Sequence, residues 1–167
     1  MNNVAQLILT LINTNRQATA EELQQIVSHA AQTPFSSRPL KMNRWLRQEL
    51  ADRGARIPSE RLPSAEIHLL KRIHLDRQWP PGTTVAQFVA DLHQAIQHPD
   101  MQVWTYRWLG EAFAGFLSPS HVQNVPNSEA CIFVAYSADH GVLKTGFQAS
   151  SPEAIFTEAF EHLRRHR

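Results

Sequence analysis

Val4, Leu7, Ile8, Leu11 and Ile12 recur at the three- and four-residue spacing of one helical face, which predicts a helix opening the chain. Thr19-Ala20-Glu21-Glu22 has the form of a capping box, with Thr19 as cap and Glu22 three residues on. The helix it opens presents Leu23, Ile26, Val27 and Ala30 on one side. Thr33-Pro34-Phe35-Ser36-Ser37-Arg38-Pro39 is rich in breakers and reads as a linker. A third helix is expected from Met42 to Arg53, with Trp45, Leu46 and Leu50 inward and Gly54 as its stop.

A loop with Pro58 and Pro63 follows. Ser64-Ala65-Glu66 then leads into a helix from Ile67 to about Asp76, with Ile67, Leu70 and Ile73 on one face. Trp79-Pro80-Pro81-Gly82 ends that region, and Thr83 or Thr84 caps a helix from Val85 to Gln97. Beyond His98-Pro99-Asp100 the period changes. Met101 to Trp108 alternates as a half-buried strand does, and Ala112 to Leu117 reads as a second strand. Cys131 to Tyr136 is a buried-strand run. Ser137 to Gly141 is a hairpin turn, and Val142 to Gln148 returns as the partner strand. Ser150-Ser151-Pro152-Glu153 is expected to start a last helix running through Leu163. Helices followed by an antiparallel sheet make an α+β fold: a helical region over 1–60, then an α+β region over 61–167 that includes flanking helices.

Length and composition agree with one hydrophobic core. The chain has 167 residues, 43% of them apolar and 19% charged. The single cysteine, Cys131, excludes an intrachain disulfide and a cysteine zinc cluster, and its apolar surroundings read as core. The apolar run at Val4–Ile12 is too short to span a membrane and lacks the basic flank of a signal peptide. A cytoplasmic protein with no membrane partner is expected. No phosphate-loop, dinucleotide-binding, nucleophile-elbow or zincin motif occurs.

The charge is unevenly spread. Arg38 to Arg77 holds 10 basic and 5 acidic residues, whereas Gln78 to Glu161 holds 2 basic and 8 acidic ones. Such a basic block suits phosphates. Within it lies His68-Leu69-Leu70-Lys71-Arg72-Ile73-His74. On a helix His68, Lys71 and Arg72 are neighbours at i, i+3 and i+4, so an imidazole sits beside two cations. Cleavage of RNA needs such a set: a base for the 2′-hydroxyl proton, an acid for the leaving 5′-oxygen, and cations for the crowded phosphorane. The two positive charges also lower the histidine's pKa and favour its neutral form. Tyr136, Thr145 and Gln148, on the two strands of the last hairpin, offer hydrogen-bonding groups.

These segments together resemble the compact ribonuclease toxins of the RelE, EndoU and colicin-nuclease kind. The matching residues are His68-Leu69-Leu70-Lys71-Arg72, then Val134-Ala135-Tyr136-Ser137-Ala138-Asp139-His140-Gly141, then Lys144-Thr145-Gly146-Phe147-Gln148. Phe147 stands where tyrosine is common, and Lys144 takes the place of an arginine. The resemblance covers roughly residues 66–149. It implies RNA cleavage without a metal or other cofactor, and an antitoxin or immunity protein as partner. On that reading His68 is the general base or acid, Lys71 and Arg72 clamp phosphate, and Tyr136, Thr145 and Gln148 orient the substrate. Arg44, Arg47, Tyr106 and Lys144 contact RNA. Tyr106 lies on the same strand face as Trp104 and Trp108, as residues two apart do. Two other readings remain open at the level of sequence. One is a non-catalytic nucleic-acid- or protein-binding module with a helix-turn-helix-like N-terminus. The other is an immunity or inhibitor protein, which the acidic second half suits.

Overall fold

The computed structural model describes residues 2–167, and in it the expected α+β class is realised. Helix α1 (Asn3–Thr14) is capped by Asn2, whose side chain accepts from the Ala5 N–H at 2.7 Å. Helix α2 (Ala20–Ala30) carries the Thr19–Glu22 capping box, and Arg16 clamps the same Glu22 carboxylate with two bonds of 2.8 Å. Strands β1 (Pro39–Lys41) and β2 (Arg61–Pro63) pair antiparallel on either side of α3 (Arg44–Asp52). Helix α4 (Ser64–Leu70) passes directly into a π-helical turn at Lys71–Leu75. Helix α5 (Val85–Ile96) is capped by Thr84 and Gln87 in a second capping box. Strands β3 (Gln102–Trp108), β4 (Glu111–Ser118), β5 (Cys131–Ser137), β6 (Val142–Ala149) and β7 (Glu161–Arg165) form one antiparallel sheet in the order β6-β5-β4-β3-β7.

The sheet has two different faces because side chains alternate along each strand. Val103, Ala114, Phe116, Val134 and Tyr136 point to the inner face, where Ile8, Leu11, Ile26, Phe88, Leu92 and Ile96 of α1, α2 and α5 cover them. Residues 3–31 therefore contribute to the same core as the sheet. The outer face carries Tyr106, Phe113, Phe133 and Ala135, packed with Ile155, Phe156 and Phe160. A separate small cluster of Met42, Leu50, Leu62 and Ile67 holds α3 and the β1–β2 pair on α4.

Four local expectations are corrected. The linker at Thr33–Pro39 and the loop before Pro63 contain strand residues, since β1 and β2 satisfy each other's backbone groups. Trp45 points outward and is 67% exposed; Leu50 alone of α3 is buried. The helix expected to end at Asp76 loosens at Lys71, where the Asp76 N–H bonds the Lys71 carbonyl five residues back at 2.9 Å. The last segment is not a helix beyond the short turn Pro152–Ala154. It crosses the outer face and returns as β7. Pairing with β3 satisfies that strand's outer edge, and Phe156 and Phe160 reach the Tyr106 ring, at 5.7 and 5.0 Å between centroids.

The edge of β6 is also covered, which guards it from pairing with another chain. Ser36 N–H donates to the Leu143 carbonyl, Leu143 N–H donates to the Pro34 carbonyl, and Arg72 Nε donates to the Gly146 carbonyl at 2.7 Å. Further along, the Gln78 side chain serves as a surrogate strand residue: its Oε1 accepts from Gln148 N–H and its Nε2 donates to the Gln148 carbonyl.

The chain's end is latched by His166. Its Nδ1 accepts from the Ala18 N–H at 3.0 Å, so the proton sits on Nε2, which meets Thr105 Oγ1 at 2.7 Å. Burial first, then Arg164 and Arg16, holds its pKa at about 4 instead of 6.5. The native state thus prefers the neutral ring. This contribution to stability is complete above pH 6.5 and is lost as pH falls towards 4. Urea unfolding at pH 7.5 and pH 5 checks this, and His166→Ala is expected to shrink the difference, leaving the part that any other buried neutral histidine supplies.

Candidate active site

A cavity of about 510 Å³ opens between α4, β1 and the outer face of the sheet. Its position follows from two local features. The first is α4, whose leading N–H groups are held by the chain before β1: Ser64 N–H donates to the Arg38 carbonyl and Ala65 N–H to the Ser36 carbonyl. This brings His68, Lys71 and Arg72 over β6. The second is a bulge in β6. Ala135 pairs with Thr145 and Tyr136 with Leu143, leaving Lys144 as the extra residue. A bulge re-aims side chains, and here both Lys144 and Thr145 line the cavity.

The His68 ring packs on Phe35 at 5.2 Å between centroids, and its buried Nδ1 has no hydrogen-bond partner among the described residues. Burial, then Arg72, Lys71 and Lys144, pushes its pKa down to about 3. The imidazole is therefore neutral at pH 7 and has an unused nitrogen. Burial and the nearby Arg72 also lower the Lys71 pKa, partly offset by Asp76, so its proton is more readily given up than that of an exposed lysine.

Arg72 is 8% exposed and fully engaged. Besides the Gly146 carbonyl it holds Asp76 through Nη1 and approaches Thr145 Oγ1 at 3.5 Å through Nη2. Its guanidinium lies 5.5 Å from the Phe147 ring centroid. These contacts orient Arg72 and leave the Thr145 hydroxyl proton free to donate. Lys144 Nζ stands 3.4 Å from Glu111 Oε1, and the other carboxylate oxygen lies 3.4 Å from His140 Nδ1. Among the described residues the cavity takes Arg38, Lys71, Arg72 and Lys144 against the one carboxylate of Glu111. Apolar walls around a set of cations strengthen their field, so the site attracts anions.

Tyr106, Phe113, Phe133 and Phe147 form much of the wall. Tyr106 is 3% exposed. Burial, then Glu111, raises its pKa, which keeps it a proton-bearing donor.

Six of the residues singled out from sequence meet here: His68, Lys71, Arg72, Tyr106, Lys144 and Thr145. Four do not. Tyr136 faces the inner side of the sheet, where its hydroxyl accepts from Asn2 Nδ2 and meets His29 Nε2, each at 3.2 Å. The bulge is the reason, since it separates the face of Tyr136 from that of Thr145. Gln148 is 3% exposed and braces a loop. Its Oε1 accepts from the N–H groups of Val122 and Glu129, and its Nε2 donates to the Gln78 carbonyl. Arg44 and Arg47 lie on α3 away from the cavity, with Arg47 3.4 Å from Glu60. Helices α2 and α3 are joined by residues 31–43, which include β1, rather than by the short turn of a helix-turn-helix. Tyr136→Phe is expected to cost about 0.5–1.5 kcal/mol in urea unfolding and to leave chemistry at the cavity unchanged.

Sequence reasoning missed Arg38, Ser36, Ser64 and Glu111 as cavity residues. Arg38 lay within the basic block, and Ser64, four residues before His68 on α4, was within reach of helical spacing; Ser36 and Glu111 carried no signal, because only the packing of β4 and of the chain before β1 brings them to the cavity. Among the described residues no cluster of three His, Cys, Asp or Glu side chains is placed to hold a metal ion, and no helix is long and apolar enough to cross a membrane. Compared with known proteins, the chain matches no family model and has no significant match among curated proteins or solved structures.

Proposed function

We propose that the chain is a metal-independent endoribonuclease of the toxin type, cutting RNA by general acid–base catalysis at His68. The observation that carries this reading is a neutral imidazole in the cavity wall, beside the charges of Lys71, Arg72 and Lys144. The scissile phosphate occupies the cationic end of the cavity. His68 takes the proton of the 2′-hydroxyl, whose oxygen attacks the adjacent phosphorus. The bond to the 5′-oxygen breaks, that oxygen receives a proton from Lys71, and a 2′,3′-cyclic phosphate remains. Arg72 and Lys144 offset the charge that grows on the phosphorane, and the Thr145 and Tyr106 hydroxyls donate to its oxygens. Glu111 holds Lys144 until a phosphate competes for it. The cationic cavity also suits an acidic partner, an antitoxin or immunity protein that closes it.

A time course with total tRNA and a long mRNA in EDTA tests this reading. Fragments ending in 2′,3′-cyclic phosphate are expected. Intact RNA after incubation with a folded, monodisperse sample overturns it.

A further inference from the structure

The hairpin between β3 and β4 turns through only two residues, since Trp108 pairs with Glu111. Both have positive φ, 50° at Leu109 and 80° at Gly110, the backbone of a type I′ turn. Glycine suits such a position and asparagine tolerates it, whereas leucine is strained there. Leu109 is nonetheless 81% exposed, so no burial compensates the strain. Its neighbour Trp108 is 40% exposed, with its indole stacked against Phe160 at 6.3 Å and 27° between planes. Leu40 of β1 is 37% exposed as well, and all three side chains line the cavity that holds Lys71 and Lys144.

We propose that Trp108 and Leu109 form a nucleobase platform, on which the base of an unpaired nucleotide rests while its phosphate lies against Lys71 and Lys144. This rests on the ribonuclease reading for the identity of the ligand. A nucleotide joins in one molecule the two features the cavity separates: an anion for its cationic floor and a flat, apolar-faced ring for its rim. A cavity of about 510 Å³ falls within the size range of small-molecule sites. Stacking on one aromatic side chain is sequence-tolerant, so the platform selects unpaired strands over duplex rather than one base over another.

The test uses the whole protein and a short single-stranded oligoribonucleotide methylated at every 2′-oxygen, which cannot be cut. Its duplex and an abasic oligomer of equal length and charge are the comparisons. Trp108→Ala is expected to weaken the single-stranded probe by about 5- to 100-fold. Trp108→Phe retains most of the affinity. The abasic oligomer binds wild type and Trp108→Ala alike. On a cleavable substrate the loss is expected in KM. Leu109→Asn relieves the turn, so it is expected to raise Tm while weakening the single-stranded probe, which separates the platform from a folding defect. Equal affinity of wild type and Trp108→Ala for the base-bearing probe overturns the platform. So does an equal loss on the abasic oligomer. If wild type cuts no RNA yet shows the base-dependent Trp108 effect, the catalytic reading fails and the platform stands. If RNA is cut and Trp108→Ala binds unchanged, the reverse holds.

Discussion

His68→Ala is expected to lower kcat/KM for RNA cleavage by about 10²- to 10⁴-fold while the protein stays folded. The change breaks no hydrogen bond of Nδ1 but removes the ring's packing on Phe35, so a urea unfolding curve of the variant accompanies the rate. The pH dependence sharpens the expectation. In the free protein burial and three neighbouring cations hold His68 at about 3. The acidic limb of kcat/KM, which reports the free enzyme, therefore lies well below pH 6.5. A bound phosphodiester brings negative charge against Lys71, Arg72 and Lys144 and raises the His68 pKa. The acidic limb of kcat, which reports the complex, should then lie at higher pH than that of kcat/KM. Single-turnover rates from pH 4 to pH 8 check this: the acidic limb of kcat is expected within that range, whereas kcat/KM shows none down to about pH 4. A folded His68→Ala protein that cuts as fast as wild type removes His68 from the chemistry.

Arg72→Met is expected to cost about 2–4 kcal/mol of stability, the largest structural effect of any single change at the site. Methionine keeps much of the buried stem's volume but removes every donor. The Gly146 carbonyl on the edge of β6 loses its 2.7 Å bond, Asp76 loses its partner, and the Phe147 ring loses the cation beside it. Activity should fall too, because Arg72 anchors the turn that carries Lys71. Arg72→Lys tests the geometry, since an ammonium keeps the charge but cannot reach Gly146, Asp76 and Thr145 together. Urea unfolding curves for both variants give the cost. A loss below about 0.5 kcal/mol for Arg72→Met would show that the edge of β6 does not depend on this residue.

Which parts of this arrangement could be read from the chain depends on the range of the interactions involved. The capping box at Thr19–Glu22, the apolar faces of α1, α2 and α5, and the alternation of β3 are local, because they depend on residues a few positions apart. The neighbourhood of His68, Lys71 and Arg72 is local in the same way, being set by helical spacing. These features suffice for the α+β class and for the His68, Lys71 and Arg72 part of the site, whereas Arg38 and Lys144 reach it only through packing. The last segment shows where local reasoning ends. Ser151-Pro152-Glu153 does start a turn, yet the residues beyond it become β7 because β3 has an open edge and an uncovered aromatic face. No pattern within residues 150–167 contains that edge. The same holds for Tyr136 and Thr145, which both lie on the last hairpin. A single extra residue, Lys144, reverses the alternation between them, sending Tyr136 to Asn2 and His29 and Thr145 to the cavity. Helical spacing and strand alternation are written into neighbouring residues. The register of a sheet, the cover of its edges and the meeting of α4 with β6 are decided by contacts between residues up to about a hundred positions apart, and only the folded chain brings them together.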